Sequence, residues 1–535
     1  MTTAEANIPA TEISAYELAA QKQQQKKPAR GLTQRAYLNA FSSFIDYGAK
    51  VATVSIVTPL VVAGLGNSMF GVWQMLSRLV TYMQAADGRP TQALKWVIAN
   101  RQADADFDAK RRQIGSALGV WVMFLPVILG LGVVMVWMAP VVTKVPAEMY
   151  LTVRFTCALL VLNFLLTNLV ALPESVLRGM NLGYKRMGLQ ASLNILGGAL
   201  TFGALYMGWG LKGLASAQVA LTLLTGAMFW LVVKKYVPWF GIARSSLKEV
   251  RAFLKVSIWW FAWTLINRLL LASDILILGF VASTSAVTVY ALTSFAGQTL
   301  LSIVTMLIGA VTPGLGGVIG EKKFEKASAL RREMRTVSWL LLTAIGSTIL
   351  LWNRSFISLW VGEERFAGFW PNLLIVLMVA QFVFIRNDAH LIDLTLQLKE
   401  KVLMGAIAAV LSIGLSALLI PRLGIVGLCL GMISGRMVLT VSYPFIINSF
   451  LGRPADRRLG EALRRALTTL SIYGASGYLG RLWLADNWLV WAACVGVSFA
   501  VSLGVASMAG LSTEMRRSLF LRLSMIRGLR ASRGV

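Results

Sequence analysis

Several ionisable residues lie inside long apolar segments of the sequence, where a charge is costly. Asp46 and Lys50 lie four residues apart in the first segment, Arg78 lies in the second, and Arg268 and Asp274 lie in the seventh. A charged group at the centre of a bilayer costs roughly 3 kcal/mol on insertion scales, so it normally faces a partner, a cavity or water. These five residues are our candidates for binding a ligand.

Each candidate also has a plainer interpretation. The i,i+4 spacing places Asp46 and Lys50 on one helical face, where they either neutralise each other for insertion or take part in transport. Arg78 and Arg268 either pair with groups on other helices or line a wet cavity that attracts anions. The only acidic residue nearby is Asp274, six residues after Arg268 and off its helical face, so we favour the cavity.

Other intramembrane charges favour structural roles. The tenth segment carries Arg386, Asp388, His390 and Asp393 near its end, where side chains can extend to water, and we expect them at the membrane interface. Arg436, in the twelfth segment, fits equally a packing role in which backbone carbonyls satisfy its guanidinium.

Catalytic and metal chemistry has little support in the sequence. His390 is the only histidine, which argues against a histidine-based zinc site or catalytic triad. The three cysteines are far apart in apolar runs, so neither a metal site nor a disulfide framework is indicated. We therefore predict a protein that is not an enzyme, with no catalytic residues, no metal and no cofactor.

The elements that must position these residues are membrane helices. Hydrophobic residues make up 56% of the 535 residues and charged residues only 14%, with a mean hydropathy of +0.67. A hydrocarbon core of about 30 Å requires about 20 apolar residues per helix. Cutting the sequence at its polar interruptions gives spans at 37–62, 68–86, 113–139, 149–172, 188–208, 213–233, 256–281, 286–313, 336–352, 370–392, 402–420, 424–447, 466–483 and 487–510.

The distribution of positive charge predicts the orientation. Of the 51 Lys and Arg residues, 39 fall in the two tails and in alternate loops, whereas the remaining loops hold six. Cytoplasmic loops are enriched in Lys and Arg, so both termini are predicted to be cytoplasmic in a bacterial inner membrane. The net charge of +27 thus reflects topology and not nucleic-acid binding.

These spans predict an all-α polytopic protein of about 14 transmembrane helices. Two six-helix halves that both start inside would be parallel repeats, an arrangement with which transporters form a central cavity. Basic and apolar residues alternate over 234–255, which suits a helix lying on the cytoplasmic leaflet. The predicted organisation is a cytoplasmic tail (1–36), a first half (37–233), an amphipathic linker (234–255), a second half (256–447), two additional helices (448–510) and a basic tail (511–535).

Three stretches resemble polysaccharide flippases of the multidrug/oligosaccharidyl-lipid/polysaccharide (MOP) exporter superfamily. The segment from Thr58 to Asn100 carries the small-aromatic motif Phe70, Gly71, Val72 and Trp73, followed by Asp87 and Gly88. The second half carries a similar motif, with Asp274 followed by Val289, Tyr290 and Ala291. The third stretch is ESVLRG at 174–179, after the fourth span.

The resemblance implies a V-shaped bundle that moves an undecaprenyl-pyrophosphate-linked oligosaccharide across the inner membrane for lipopolysaccharide or exopolysaccharide synthesis. It also implies that Lys50, Arg78 and Arg268 line the chamber, while Asp46 and Asp274 pair with these cations or carry a coupling ion, a proton or sodium. Its partners would be membrane lipids, a polysaccharide polymerase and glycosyltransferases. A peptidoglycan lipid-precursor flippase and a cation-coupled multidrug exporter of the same superfamily are the alternatives.

Overall fold

The computed structural model describes residues 29–83, 90–100, 106–180, 182, 189–320, 323–395, 398–451, 459–513 and 515–516. Within those ranges every regular element is helical, as the sequence predicts for an all-α membrane protein. The helices are α1 (Ala29–Thr81), α2 (Pro90–Asn100), α3 (Phe107–Thr143), α4 (Tyr150–Gly179), α5 (Leu189–Tyr206), α6 (Gly210–Tyr236), α7 (Leu247–Val281), α8 (Thr284–Thr293), α9 (Phe295–Gly320), α10 (Phe324–Val361), α11 (Phe369–Thr395), α12 (Leu398–Leu451), α13 (Leu459–Leu482) and α14 (Trp488–Gly510).

Two of the long helices are each broken at a glycine. Gly66 in α1 has φ 74° and Gly424 in α12 has φ 55°, a region that glycine enters without steric cost. In α12 the break reverses the chain, because Gly431 packs against Ser416 and Gly435 against Ser412. Each break lies at the boundary of two spans that the sequence predicts to be separate: Gly66 falls between 37–62 and 68–86, and Gly424 is the first residue of 424–447.

The apolar helices make this a multi-pass membrane protein. Among the described residues, eight helices are long and apolar enough to cross a membrane, or nine if α8 and α9, which meet at a 51° bend, form one span. Both broken helices are among the eight. The total of about 14 crossings stays a prediction.

The helices of the predicted first half pack closely through small residues. Gly226 on α6 lies against Val170 on α4, and Gly179 at the end of α4 lies against Ile98 on α2. The part of α1 before Gly66, its first limb, packs along α5, because Thr53 lies near Gly198. In the second half α12 packs along α11 and α7.

The two C-terminal helices pack on α10. Gly510 of α14 lies against the Trp339 ring, and Gly480 of α13 approaches the Leu350 carbonyl. The Tyr473 hydroxyl donates to the Leu342 carbonyl at 2.7 Å. These helices are therefore fixed to one side of the second half.

The linker differs from the surface helix expected over 234–255. Helix α6 continues to Tyr236, α7 begins at Leu247, and the residues between them are not helical. Trp239 is buried and accepts a hydrogen bond through its carbonyl from Arg111 Nε at 2.8 Å. The linker thus lies against the first half, where the Trp239 ring stacks on Phe107 of α3 and the Phe240 ring contacts Trp230 of α6.

Candidate functional site

One face of the second limb of α1, the part after Gly66, is directed at the second half. A side chain at Gly71 would collide with the backbone of Thr284, and a side chain at Gly279 of α7 would collide with the Met75 thioether. Spacings of four and three residues place Gly71, Met75 and Arg78 on the same helical face. Arg78 therefore lies on the face that meets the second half.

Arg78 is half-buried and available to a ligand. It follows Met75 by one turn, about 5 Å along the axis, towards the predicted cytoplasmic end. Within the described part of the chain its guanidinium takes part in no hydrogen bond or ion pair. A guanidinium presents five donors in a planar fork that matches phosphate.

Lys50 occupies the first limb of the same helix. It is exposed and lies one turn after Tyr47, whose hydroxyl donates to the Thr299 carbonyl of α9 at 3.4 Å. Both residues thus face the second half. Lys50 precedes the break at Gly66 by about 24 Å and Arg78 follows it by about 18 Å along their limbs, so the two cations differ in depth by about 6 Å.

Arg268 lies in α7, but its side chain is outside the described residues. It precedes Gly279 by eleven residues, which is close to three full turns and about 16 Å of rise. Its backbone position is therefore on the side of α7 that contacts α1. Asp46 is half-buried, and its backbone carbonyl accepts a hydrogen bond from Asn194 Nδ2 at 3.4 Å.

Asp274 lies apart from these residues, inside the second half. It is 4% exposed and accepts hydrogen bonds from the Tyr290 hydroxyl and from the Ile275 amide, both at 2.8 Å. Arg436 is also buried, donates to the Leu270 carbonyl and is close enough to Asp274 for their charges to attract. The packing role of Arg436, with a carbonyl as its partner, is confirmed.

The tenth-segment residues form ion pairs that the sequence did not indicate. Asp388 is 3% exposed and pairs with Arg331 at 3.1 Å and with Arg335 at 3.7 Å. Asp393 pairs at 2.5 Å with Lys401, whose side chain is fully buried. Asp388 therefore does not extend to water as predicted, because arginines of α10 pair with its carboxylate inside the protein.

Residues of the family-like motifs have visible structural roles. Gly71 allows the contact with Thr284, and Glu174 pairs with Arg178 at 2.7 Å in the ESVLRG stretch. Asp87 and Gly88 lie outside the described residues. Across the described ranges, no group of three or more His, Cys, Asp or Glu residues is placed to hold a metal ion.

A family model matches part of the sequence. Residues 94–316 match the family model described as polysaccharide biosynthesis protein. No curated protein sequence matches the chain.

Three solved structures share this fold at low sequence identity. The lipid II flippase MurJ, in an inward closed conformation, has a TM-score of 0.65 at 11% identity, covering 88% of this chain and 98% of its own. An inward-facing multidrug resistance MATE family transporter has a TM-score of 0.61 at 14% identity, with coverages of 76% and 98%. A MOP superfamily transporter from Pyrococcus furiosus has a TM-score of 0.54 at 14% identity, with coverages of 78% and 95%.

The chain therefore has the fold of a polytopic MOP superfamily transporter. Its resemblance to the polysaccharide flippases of that superfamily is confirmed. The named neighbours are transporters and a flippase, not enzymes.

Proposed function

We propose that this protein is a flippase that moves undecaprenyl-pyrophosphate-linked oligosaccharide from the cytoplasmic to the outer leaflet of a bacterial inner membrane. The observation that carries the proposal is the placement of Arg78 and Lys50 on the face of α1 directed at the second half. Arg78 has no protein partner in the described part of the chain. A cation left without a partner between two halves suits a mobile anion.

A diphosphate headgroup fits these cations in charge and geometry. Guanidinium and ammonium groups bind phosphate oxygens through charge-assisted hydrogen bonds, which are about twice as strong as neutral ones. Arg78, Lys50 and Arg268 lie at successive depths over roughly 12 Å, as their helical rise indicates. Successive cations would let the headgroup pass from one to the next while its lipid tail stays in the bilayer.

Asp46 and Asp274 have different parts in this proposal. Asp46 lies four residues from Lys50 and can neutralise it when the substrate is absent. Asp274 is held by Tyr290 in the second half, so it would act by holding α7 and α8 together, or by carrying a coupling proton or sodium ion, and not by touching the sugar lipid.

A peptidoglycan lipid-precursor flippase is the second candidate. The lipid II flippase MurJ covers 88% of this chain, and a pyrophosphate-linked lipid would use the same cations. A cation-coupled multidrug exporter fits less well, because a cationic drug would meet Arg78 and Lys50 with like charge. We place the surface-polysaccharide substrate first because the matching family model is a polysaccharide biosynthesis protein.

The proposed setting follows from the charge distribution. In this proposal both termini are cytoplasmic and two six-helix halves are followed by two additional helices. The partners in this proposal are the glycosyltransferases and polymerase that supply and consume the lipid-linked unit. Surface polysaccharide export is thus the appropriate assay.

The test replaces Arg78 by Ala and measures export of surface polysaccharide at matched protein level. Loss of a charge-assisted hydrogen bond to phosphate costs about 1.5–3 kcal/mol, so transport should fall roughly tenfold to hundredfold. Arg78→Lys should retain part of the activity because it keeps the charge without the fork.

Arg154→Ala is the matched control. Arg154 is another half-buried intramembrane arginine, but it lies beside the Tyr150 ring at 5.9 Å within the first half. Export should be unchanged in this variant. Undiminished export in both Arg78→Ala and Lys50→Ala would overturn the proposal.

A further inference from the structure

A second concentration of positive charge lies far from Arg78, where the cytoplasmic ends of α10 and α13 meet. Arg335 lies on α10, and Arg464 and Arg465 are adjacent on α13. The exposed Arg332 lies one turn before Arg335 on α10, and the exposed Arg516 follows Met515, which contacts Arg465. We call Arg335, Arg464 and Arg465 the arginine cluster.

The protein holds two members of the cluster in place. Arg465 donates to the Thr336 hydroxyl at 3.2 Å and lies 5.6 Å from the centre of the Trp339 ring. Arg335 lies 5.8 Å from the centre of the Phe384 ring. A guanidinium fixed over an aromatic ring loses less freedom when it binds an anion.

Among the described residues, the positive charges in the cluster exceed the acidic groups that face them. Burial lowers the pKa of Arg465, Glu461 raises it, and the charges of Arg464 and Arg335 lower it again. Arg335 pairs with Asp388, whose carboxylate also pairs with Arg331. One buried Nε atom on each of Arg464 and Arg465 has no hydrogen-bond partner among the described residues. An anion at this point would relieve repulsion and accept these donors.

An apolar stripe adjoins the cluster on α13. Leu463, Leu467 and Leu470 are 58%, 55% and 64% exposed, and their spacings of four and three residues place them on one face. This stripe runs from the arginines towards the middle of the predicted span 466–483. A ligand with an anionic head and an apolar tail can use both surfaces at once.

We propose that the arginine cluster binds the phosphate headgroup of an anionic phospholipid of the cytoplasmic leaflet, with its acyl chains along the leucine stripe of α13. Basic pockets between membrane helices on the cytoplasmic side are suited to such headgroups. An acidic protein segment or free phosphate would use the charge but not the stripe. The bound lipid would hold α13 against α10, so it is a structural lipid distinct from the transported substrate.

The test counts lipids retained by the full-length protein in detergent, by native mass spectrometry, after reconstitution with phosphatidylethanolamine and phosphatidylglycerol. The wild type should retain phosphatidylglycerol. Each Lys or Arg near a membrane surface contributes about fivefold to anionic-lipid binding, so Arg464→Gln with Arg465→Gln should weaken retention roughly thirtyfold. Arg464→Gln alone should weaken retention of phosphatidylglycerol about fivefold. Because this single change removes no hydrogen bond to a described residue, it keeps the test valid if the double variant misfolds.

Lys234→Gln with Lys235→Gln is the matched control. These two adjacent cations lie at the same predicted end of the bundle, on α6, beside the rings of Trp230 and Tyr236, and the charge change is identical. An equal loss of phosphatidylglycerol in this control would show that surface charge attracts the lipid diffusely, which would overturn the proposed site. Displacement of the lipid by millimolar inorganic phosphate, or retention of phosphatidylethanolamine in place of phosphatidylglycerol, would also overturn it.

Discussion

At the scale of single residues, the contact between the two halves depends on the absence of a side chain at Gly71. A Cβ there would collide with the Thr284 backbone, and backbone atoms cannot move aside as a flexible side chain can. The polar contacts around it include the Thr288 hydroxyl donating to the Asn67 carbonyl at 2.6 Å. Gly71 therefore controls how closely α1 approaches α8.

We predict that Gly71→Ala opens this contact between α1 and α8. Overpacking costs typically 1–3 kcal/mol, enough to favour conformations in which the halves separate. A cysteine at Thr288, which is fully buried in this conformation, should then react at least about fivefold faster with a membrane-impermeant maleimide. The measurement uses a background in which Cys494, the partly exposed native thiol, is replaced by Ala.

Gly130→Ala is the control for that experiment, because nothing lies within 4 Å of a Cβ at Gly130. It should leave the labelling rate unchanged. Equal rates in the Gly71 and Gly130 variants would show that Gly71 does not set the approach of the halves.

The sequence identified the charged residues but not their partners. The cost of burying charge was enough to select Arg78 and Asp274 from composition alone. Asp274 instead binds Tyr290, sixteen residues later, and Asp388 binds Arg331 from another helix. Such pairs depend on tertiary contacts, which helical periodicity cannot reveal.

At the scale of the helices, most predicted spans coincide with described helices because lipid requires long apolar segments. The exception is the predicted span 286–313, which bends between α8 and α9. No Gly or Pro marks the bend at residues 293–294. The Thr293 carbonyl there accepts from Asn353 Nδ2 at 2.9 Å, and the Thr293 hydroxyl accepts from the Ala367 amide at 2.9 Å. These tertiary hydrogen bonds compete with the helix.

The start of α7 is fixed by a capping box. The Ser246 hydroxyl accepts from the Glu249 amide at 3.2 Å, and the Glu249 carboxylate accepts from the Ser246 amide at 2.8 Å. We predict that Ser246→Ala costs about 1 kcal/mol locally, so amide exchange at residue 249 should be about fivefold faster. Hydrogen–deuterium exchange measures this, with Ser245→Ala as the neighbouring control. Unchanged protection in Ser246→Ala would contradict the cap.

The same capping box predicts that the stability of the first turn of α7 depends on pH. The hydrogen bond from the Ser246 backbone lowers the pKa of Glu249 below its ordinary value of 4.5, with Arg112 assisting. Because the folded-state pKa is depressed, the stabilisation is present above pH 4.5 and is lost as the pH falls through the folded-state value. Protection of the first turn of α7 should therefore decrease below pH 4.5 in the wild type, relative to Glu249→Gln. An equal response in both proteins would exclude Glu249 as its source.

At the scale of the whole molecule, polar groups join the two predicted halves at the predicted outer end. Ser68 and Thr284 hydroxyls lie 3.1 Å apart, and Arg365 donates to the Asn67 side chain at 2.7 Å. The sequence predicted the two halves from their topology, but it could not predict these polar contacts between them. A transporter that carries its substrate between the halves must break and re-form this outer contact in each cycle.

We therefore predict that a disulfide between Ser68→Cys and Thr284→Cys arrests export and that a reductant restores it. The 3.1 Å between the hydroxyl oxygens indicates that cysteine sulfurs at these positions can meet after a small adjustment. The matched control is Thr343→Cys with Thr469→Cys, whose hydroxyls are also 3.1 Å apart but which join α10 to α13 on one side of the molecule. Export in vesicles should fall nearly to zero only for the cross-linked outer pair. Continued export with that pair fully oxidised would mean that transport does not require the two halves to separate at this contact, which would contradict the prediction.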